Sequence, residues 1–202
     1  MARSEDPVAV AACRVDVAAV RAEPDDAAEQ VTQALRGEPL TVEEANGDWT
    51  RVRTAYDYPG WIRTAHLEPV RGAVPRTWLP EPRPDGDATE EARAYLDAPY
   101  EWGGMSERGI DCSGLVHMAY RRLGRLVPRD ADQQEEAGTS VSEDELRPGD
   151  LITYGEERTT HIAFWLGDGL ILHSTDRYDV GGVVQEPEPE ELRARRRSLV
   201  RY

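Results

Sequence analysis

Gly109-Ile110-Asp111-Cys112-Ser113-Gly114-Leu115 sets a cysteine directly behind a residue that caps helices, at the entry to an amphipathic run. Leu115, Val116, Ala119 and Leu123 recur near the 3.6-residue period, and Gly124 is placed to end the helix. The Asp111 side chain can accept backbone N–H groups of the first turn, so Cys112 falls at the helix N-terminus. There the helix dipole and unpaired N–H groups favour a thiolate, and a thiolate is a nucleophile. The neighbouring Asp111 charge works the other way, so the cysteine needs a histidine partner.

Downstream of the helix, Leu151–Tyr154, His161–Leu166 and Leu170–Ser174 read as strands. If Gly167-Asp168-Gly169 is a three-residue hairpin loop, Leu166 pairs with Leu170 and Ala163 with His173. His161 then becomes the diagonal cross-strand neighbour of His173 on the same face, while Ile162, Phe164 and Leu166 turn to a core. A two-residue loop would instead send the two histidines to opposite faces. The expected constellation is Cys112 as nucleophile, His161 as base and His173 as its orienter. Tyr100, just ahead of Gly103-Gly104, is expected to direct its phenol at the developing oxyanion beside the Cys112 backbone N–H.

Upstream, short β-type runs alternate with turn residues: Val8–Val20, Gln30–Leu35, Pro39–Glu43, Trp49–Thr54 and Gly60–Arg63. Asn46-Gly47-Asp48 reads as a hairpin turn between two of them. Pro69, Pro75, Pro80, Pro82 and Pro84 then punctuate a stretch suited to neither helix nor central strand. The expectation is an all-β domain over 1–70, a linker over 71–87, and an α+β domain over 88–202 that begins with a helix at Thr89–Leu96. Glu186–Glu191 reads as a surface loop running into a short helix, and Arg193–Arg197 as a solvated helix face or tail. Cys13, Trp49 and Trp61 are expected in cores, and His66 and His117 in structural roles. Tyr58, ahead of Pro59-Gly60, is expected at a loop tip.

The whole chain has 202 residues, and its 39 acidic against 24 basic residues give a net charge of -15. That balance argues against nucleic acid or an anionic membrane as partner. Every basic residue is arginine, whose planar fork suits a carboxylate-bearing ligand. The N-terminal residues lack the unbroken apolar run of a secretory signal, and no stretch of 18 apolar residues occurs. Two cysteines far apart make neither a disulfide framework nor a zinc motif. A reduced, cytoplasmic, monomeric protein is expected, with no metal or organic cofactor.

Together, Pro99-Tyr100-x-Trp102-Gly103-Gly104, the Asp111-Cys112-Ser113-Gly114-Leu115 core, Leu146-x-Pro148-Gly149-Asp150-Leu151, His161-Ile162-Ala163 and Ile171-x-His173-Ser174 resemble the NlpC/P60 family of papain-like cysteine peptidases. The N-terminal unit is similar to bacterial SH3 (SH3b) barrels through Val17-x-x-Val20-Arg21, Val31-x-Gln33-x-Leu35-x-Gly37-Glu38 and Gly47-Asp48-Trp49-x-x-Val52. Asp57-Tyr58-Pro59-Gly60-Trp61 and Pro128-Arg129-Asp130-Ala131 narrow the resemblance to γ-D-glutamyl-L-diamino acid endopeptidases of murein-peptide recycling. That resemblance implies an antiparallel sheet packed on helices, and catalysis by Cys112, His161 and His173 with Tyr100 near the oxyanion. It further implies a cleft closed at one end by the SH3b domain, so that only peptides with a free N-terminal L-Ala fit. Glu29, Tyr58 and Asp111 would meet the ammonium, and Ser113 with Arg129 and Asp130 would read the γ-D-Glu carboxylate. Ala131 stands where members of the subgroup place a hydroxyl. The alternatives are a thiol amidase or acyl hydrolase acting on another cell-wall or lipid substrate, and an idle cell-wall binding module.

Overall fold

The computed structural model describes residues 10–70, 81, 83 and 85–202, which separate into two compact units, one on either side of the 71–80 segment. The Val8 start of the first run and Pro75, Pro80, Pro82 and Pro84 of the expected linker lie outside the described residues. No helix among the described residues is long and apolar enough to cross a membrane.

The first unit is all-β. Its strands are β1 (Val10–Cys13), β2 (Val17–Arg21), β3 (Gln30–Leu35), β4 (Pro39–Asn46), β5 (Trp49–Arg53), β6 (Pro59–Arg63) and β7 (Leu67–Pro69). They form one antiparallel sheet in the order β3-β2-β6-β5-β4-β1-β7. Cys13, Ala18, Val20, Ala34, Leu40, Val52 and Ile62, drawn from six strands, share one core, so the sheet curls around it. The single run expected over Val8–Val20 is broken after Cys13. Arg36 holds the break open by donating to the Arg14 carbonyl at 2.5 Å and the Asp16 carboxylate at 2.9 Å. Trp49 is in the core as expected, whereas Trp61 is only half-buried and Ile62 beside it points inward. Pro69 closes an edge strand, where a missing N–H costs no ladder bond.

The second unit is α+β. Helix α1 (Ala88–Arg93) is capped by Asp87 and ends three residues short of the expected Leu96. The hairpin of β8 (Met105–Ser106) and β9 (Gly109–Ile110) leads into α2 (Cys112–Arg122), and α3 (Ala131–Ala137) follows. Helix α2 is buried along nearly its whole length, His117 and Arg121 included, and packs on the sheet behind it. That sheet runs β10-β15-β11-β12-β13-β14, all antiparallel. Its strands are β10 (Thr139–Ser140), β11 (Leu151–Tyr154), β12 (His161–Gly167), β13 (Leu170–Thr175), β14 (Gly182–Pro187) and β15 (Arg196–Arg201), with a short α4 (Glu190–Arg193) before the last.

Two expectations fail at the C-terminal end. Glu186 belongs to β14 rather than to a surface loop, and the arginine run enters β15, which lies inside the sheet between β10 and β11. Arginine tolerates that place because each head finds a carboxylate: Arg196 meets Glu188 at 2.6 Å and Arg201 meets Asp150 at 2.6 Å. The aliphatic stems cover apolar neighbours, and the Arg196 guanidinium lies 5.4 Å from the centre of the Trp165 ring.

Candidate active site

Cys112 opens α2 because Asp111 caps it, the Asp111 carboxylate accepting the Gly114 N–H at 2.7 Å. Gly114 is required by the packing, since a Cβ there would run into the Gly104 carbonyl. The helix start is thereby pressed against the Gly103-Gly104 turn, whose Gly103 N–H donates to the same carboxylate at 2.7 Å. Arg129, 1% exposed, completes the arrangement by donating to both Asp111 oxygens at 3.0 and 2.7 Å, to Ser113 Oγ at 2.9 Å and to the Gly104 carbonyl at 3.3 Å.

The thiol is buried. Burial first, and the Asp111 charge second, push Cys112 up to about 12, while backbone N–H groups of Ile162 and Ser113 and the Arg129 charge pull the other way. Burial thus outweighs the helix dipole and favours the thiol over the thiolate. The Ile162 N–H aimed at the sulfur seats Cys112 against β12, one residue from His161.

The β12–β13 hairpin places the histidines as the register argument requires, through a different turn. Phe164 pairs with Leu172 and Trp165 with Ile171, so the register carries Ala163 to His173. The loop itself has two residues, Asp168 and Gly169, both at positive φ, and Leu166 bulges out between the paired Trp165 and Gly167. The bulge restores the face that a simple two-residue loop would have reversed. His161 Nε2 and His173 Nδ1 lie 2.7 Å apart with their rings edge to face. Burial first, and the neighbouring His173 second, push His161 down to about 3; burial also holds His173 below its ordinary value. Burial thus weighs against a charge on either imidazole at rest.

Tyr100 is half-buried, tied by its N–H to the Gly181 carbonyl at 2.8 Å. Burial and then the charge of an ionised Cys112 push its phenol up, so it stays a hydrogen-bond donor close enough to the sulfur to feel its charge. Ser113 is buried beside Asp111, to which its hydroxyl donates at 3.3 Å. Arg129 turns inward to Asp111 and ties the Gly103-Gly104 turn to the start of α2. Asp130 stands at the N-cap position of α3, and Ala131 is buried in the first turn. In the first unit Glu29 is exposed ahead of β3, and Tyr58 is half-buried ahead of β6, its N–H bonded to Thr54 Oγ1 at 3.0 Å. His117 is fully buried with Nδ1 2.7 Å from the Val127 carbonyl, and Cys13 is fully buried in the first core. No group of three or more His, Cys, Asp or Glu among the described residues is placed to hold a metal ion.

One polar residue of the site escaped the sequence reading. Glu186 Oε1 lies 3.0 Å from His173 Nε2. Val184 pairs with His173, so Glu186 is its diagonal neighbour on the same face. The cross-strand pairing that joins the two histidines extends to Glu186 through β14, a strand that Pro187 and Pro189 disguise as a loop in the sequence.

Residues 97–190 match the NlpC/P60 family, and residues 20–67 match the bacterial dipeptidyl-peptidase SH3 domain. A γ-D-glutamyl-L-lysine dipeptidyl-peptidase of Bacillus cereus is 37% identical over 71% of this chain and 66% of its own length. Dipeptidyl-peptidase 6 of Lysinibacillus sphaericus is 34% identical over 65% of this chain and 46% of its own. The crystal structure of an NlpC/P60 family protein from Bacillus cereus superposes with a TM-score of 0.56 at 24% identity, covering 96% of this chain and 63% of that one, a likeness of fold. This chain thus spans two thirds or less of the length of these proteins. Fold, motif order and family match agree: the second unit belongs to the NlpC/P60 family, and a bacterial SH3 domain precedes it in the chain.

Proposed function

We propose that the protein is a cysteine endopeptidase that cleaves the bond between γ-D-Glu and the following diamino acid in murein peptides bearing a free N-terminal L-Ala, releasing L-Ala-γ-D-Glu. The observation that carries the reading is the buried Cys112 thiol at a helix start, seated on β12 next to a His161–His173 pair joined at 2.7 Å. In the reaction, His161 takes the thiol proton as sulfur attacks the γ-carbonyl. The oxyanion is met by the Cys112 backbone N–H and the Tyr100 phenol, and His161 passes its proton to the departing amine. Water, deprotonated by the same imidazole, then attacks the thioester carbonyl; the C–S bond breaks, Cys112 recovers the proton from His161, and L-Ala-γ-D-Glu is released.

The substrate class is supported by the likeness to the Bacillus cereus γ-D-glutamyl-L-lysine dipeptidyl-peptidase and by the resemblance carried by Asp57–Trp61 and Pro128–Ala131. A free-amine requirement would spare intact wall precursors whose L-Ala is acylated. That selectivity suits a cytoplasmic enzyme of murein-peptide recycling.

Mass spectrometry of L-Ala-γ-D-Glu-L-Lys, its meso-diaminopimelate analogue and their N-acetylated twins, each incubated with the protein and with Cys112→Ala, tests the reading. Release of L-Ala-γ-D-Glu from free-amine peptides alone, and only with Cys112 present, is expected. Cleavage of the acetylated twins at equal rate would remove the amine requirement, and cleavage of none of the four would overturn the substrate class.

A further inference from the structure

We propose that Glu186, clamped by Arg177, is a positioning residue that fixes the tautomers of both histidines, so that the nitrogen left to receive the Cys112 proton is Nδ1 of His161. Its kinetic consequence rests on the cysteine-peptidase reading; the tautomers themselves do not.

Arg177, in the loop between β13 and β14, forks onto Glu186 with Nη1 2.8 Å from Oε1 and Nη2 2.8 Å from Oε2, while its Nε meets Asp179 at 2.6 Å. Burial alone would raise the Glu186 carboxyl, but the bonds from Arg177 and His173 outweigh it and hold it below its ordinary value. An ionised carboxylate only accepts. The 3.0 Å contact to His173 Nε2 is therefore donated by the imidazole, and His173 carries its proton on Nε2. A neutral imidazole has one N–H, which leaves His173 Nδ1 as an acceptor. The 2.7 Å contact must then be donated by His161 Nε2–H, and the lone pair of His161 falls on Nδ1.

Without the acceptor the order is free to reverse. A proton on His173 Nδ1 would make His161 Nε2 the acceptor and put the His161 proton on Nδ1, where no base would remain for the thiol. When His161 does take the thiol proton, the imidazolium donates from Nε2 along the same two bonds toward Glu186. No proton leaves the set until the amine departs.

The test compares the wild type with Glu186→Leu, Glu186→Gln and Arg177→Gln. Imidazole nitrogen-15 NMR of histidine-labelled protein reads the tautomers directly. Alkylation of Cys112 by iodoacetamide near neutral pH, followed on the Cys112 peptide, reads the base without any peptide substrate. In the wild type both histidines should carry their protons on Nε2. In Glu186→Leu that pattern should be lost at His173, and alkylation should slow about 10–100-fold, part of what a positioned general base contributes. Glu186→Gln keeps an oxygen acceptor, so it should retain the Nε2–H pattern and recover most of the rate; Arg177→Gln should fall between. A wild-type spectrum with the proton on Nδ1 of either histidine would overturn the proposal, and that spectrum decides alone should Glu186→Leu fail to fold. Unchanged tautomers and rate in a folded Glu186→Leu would overturn it equally. If the tautomers hold and no murein peptide is cleaved, the substrate reading falls and this one stands.

Discussion

Replacing Asp111 by asparagine separates what the residue does for the fold from what it does to the thiol. In the wild type, Asp111 and Arg129 form an ion pair with side-chain exposures of 8% and 1%. Asparagine keeps the shape and is as good an N-cap as aspartate. It turns one acceptor into a donor, however, and both oxygens already take donors: Gly114 N–H and Arg129 Nη1 on Oδ1, Gly103 N–H and Arg129 Nη2 on Oδ2. Either amide orientation sets its NH2 against two of these donors, and Arg129 is left as a buried charge without its counter-ion. Breaking a buried pair in this way costs about 3–5 kcal/mol. With a urea slope of about 2 kcal/mol per molar, the unfolding midpoint should drop by roughly 1.5–2.5 M. The thiol should respond in the opposite sense, because the Asp111 charge raises the Cys112 pKa and the Arg129 charge lowers it. Asp111→Asn should therefore be less stable and yet alkylate at lower pH. Urea unfolding followed by far-UV circular dichroism measures the first effect, and the pH profile of Cys112 alkylation the second. A stability loss under about 1 kcal/mol, or a thiol profile moved to higher pH, would refute the reasoning.

Gly114→Ala sets helix propensity, which favours alanine by about 1 kcal/mol, against the collision of its Cβ with the Gly104 carbonyl. A backbone oxygen cannot swing aside, so a net loss of about 1–3 kcal/mol in urea unfolding is expected, and a gain would show that the turn yields. Tyr100→Phe should lower kcat about 10²–10³-fold with KM little changed, the effect of removing one oxyanion donor; steady-state kinetics with an unchanged kcat would exclude the phenol from that role. Stability should fall with acid, because burial holds His117 and His161 down to about 3 in the folded protein while both titrate at about 6.5 when unfolded. Between these values the unfolded state binds more protons, so stability rises with pH by up to about 2.7 kcal/mol per unit from the two groups, fully present above 6.5 and lost toward 3. His117→Asn should remove about half of that slope in urea titrations run from pH 4 to 6, and an unchanged slope would exclude His117 as a source.

The parts of the site that the sequence disclosed are those written in local patterns. A cap residue followed by a 3.6-residue period located Cys112, and a two-residue period with a short glycine-flanked loop put His161 and His173 on one face. That face survived a wrong loop length only because the Leu166 bulge made up the missing residue. Longer-range facts were hidden. The interior strand β15 reads as Arg-Arg-Ser-Leu-Val-Arg, and nothing local says that Glu188, Glu143 and Asp150 wait to neutralise those arginines. Glu186 was masked by the prolines around it, although it completes the row of groups behind the base. Arg129 looked like a ligand for a carboxylate, and the carboxylate it holds is Asp111. The thiol's high pKa was also beyond local reading, since it follows from how completely α2 is enclosed.

The most direct test of the central claim is to catch the acyl group on Cys112. Rapid acid quench of the protein with L-Ala-γ-D-Glu-L-Lys, followed by mass spectrometry of the intact chain and its peptides, should find an adduct equal to L-Ala-γ-D-Glu less one water. The adduct should sit on the peptide carrying Cys112, be absent from Cys112→Ala, and disappear as free L-Ala-γ-D-Glu accumulates. Cleavage that persists in Cys112→Ala, or an adduct on any other residue, would contradict the account.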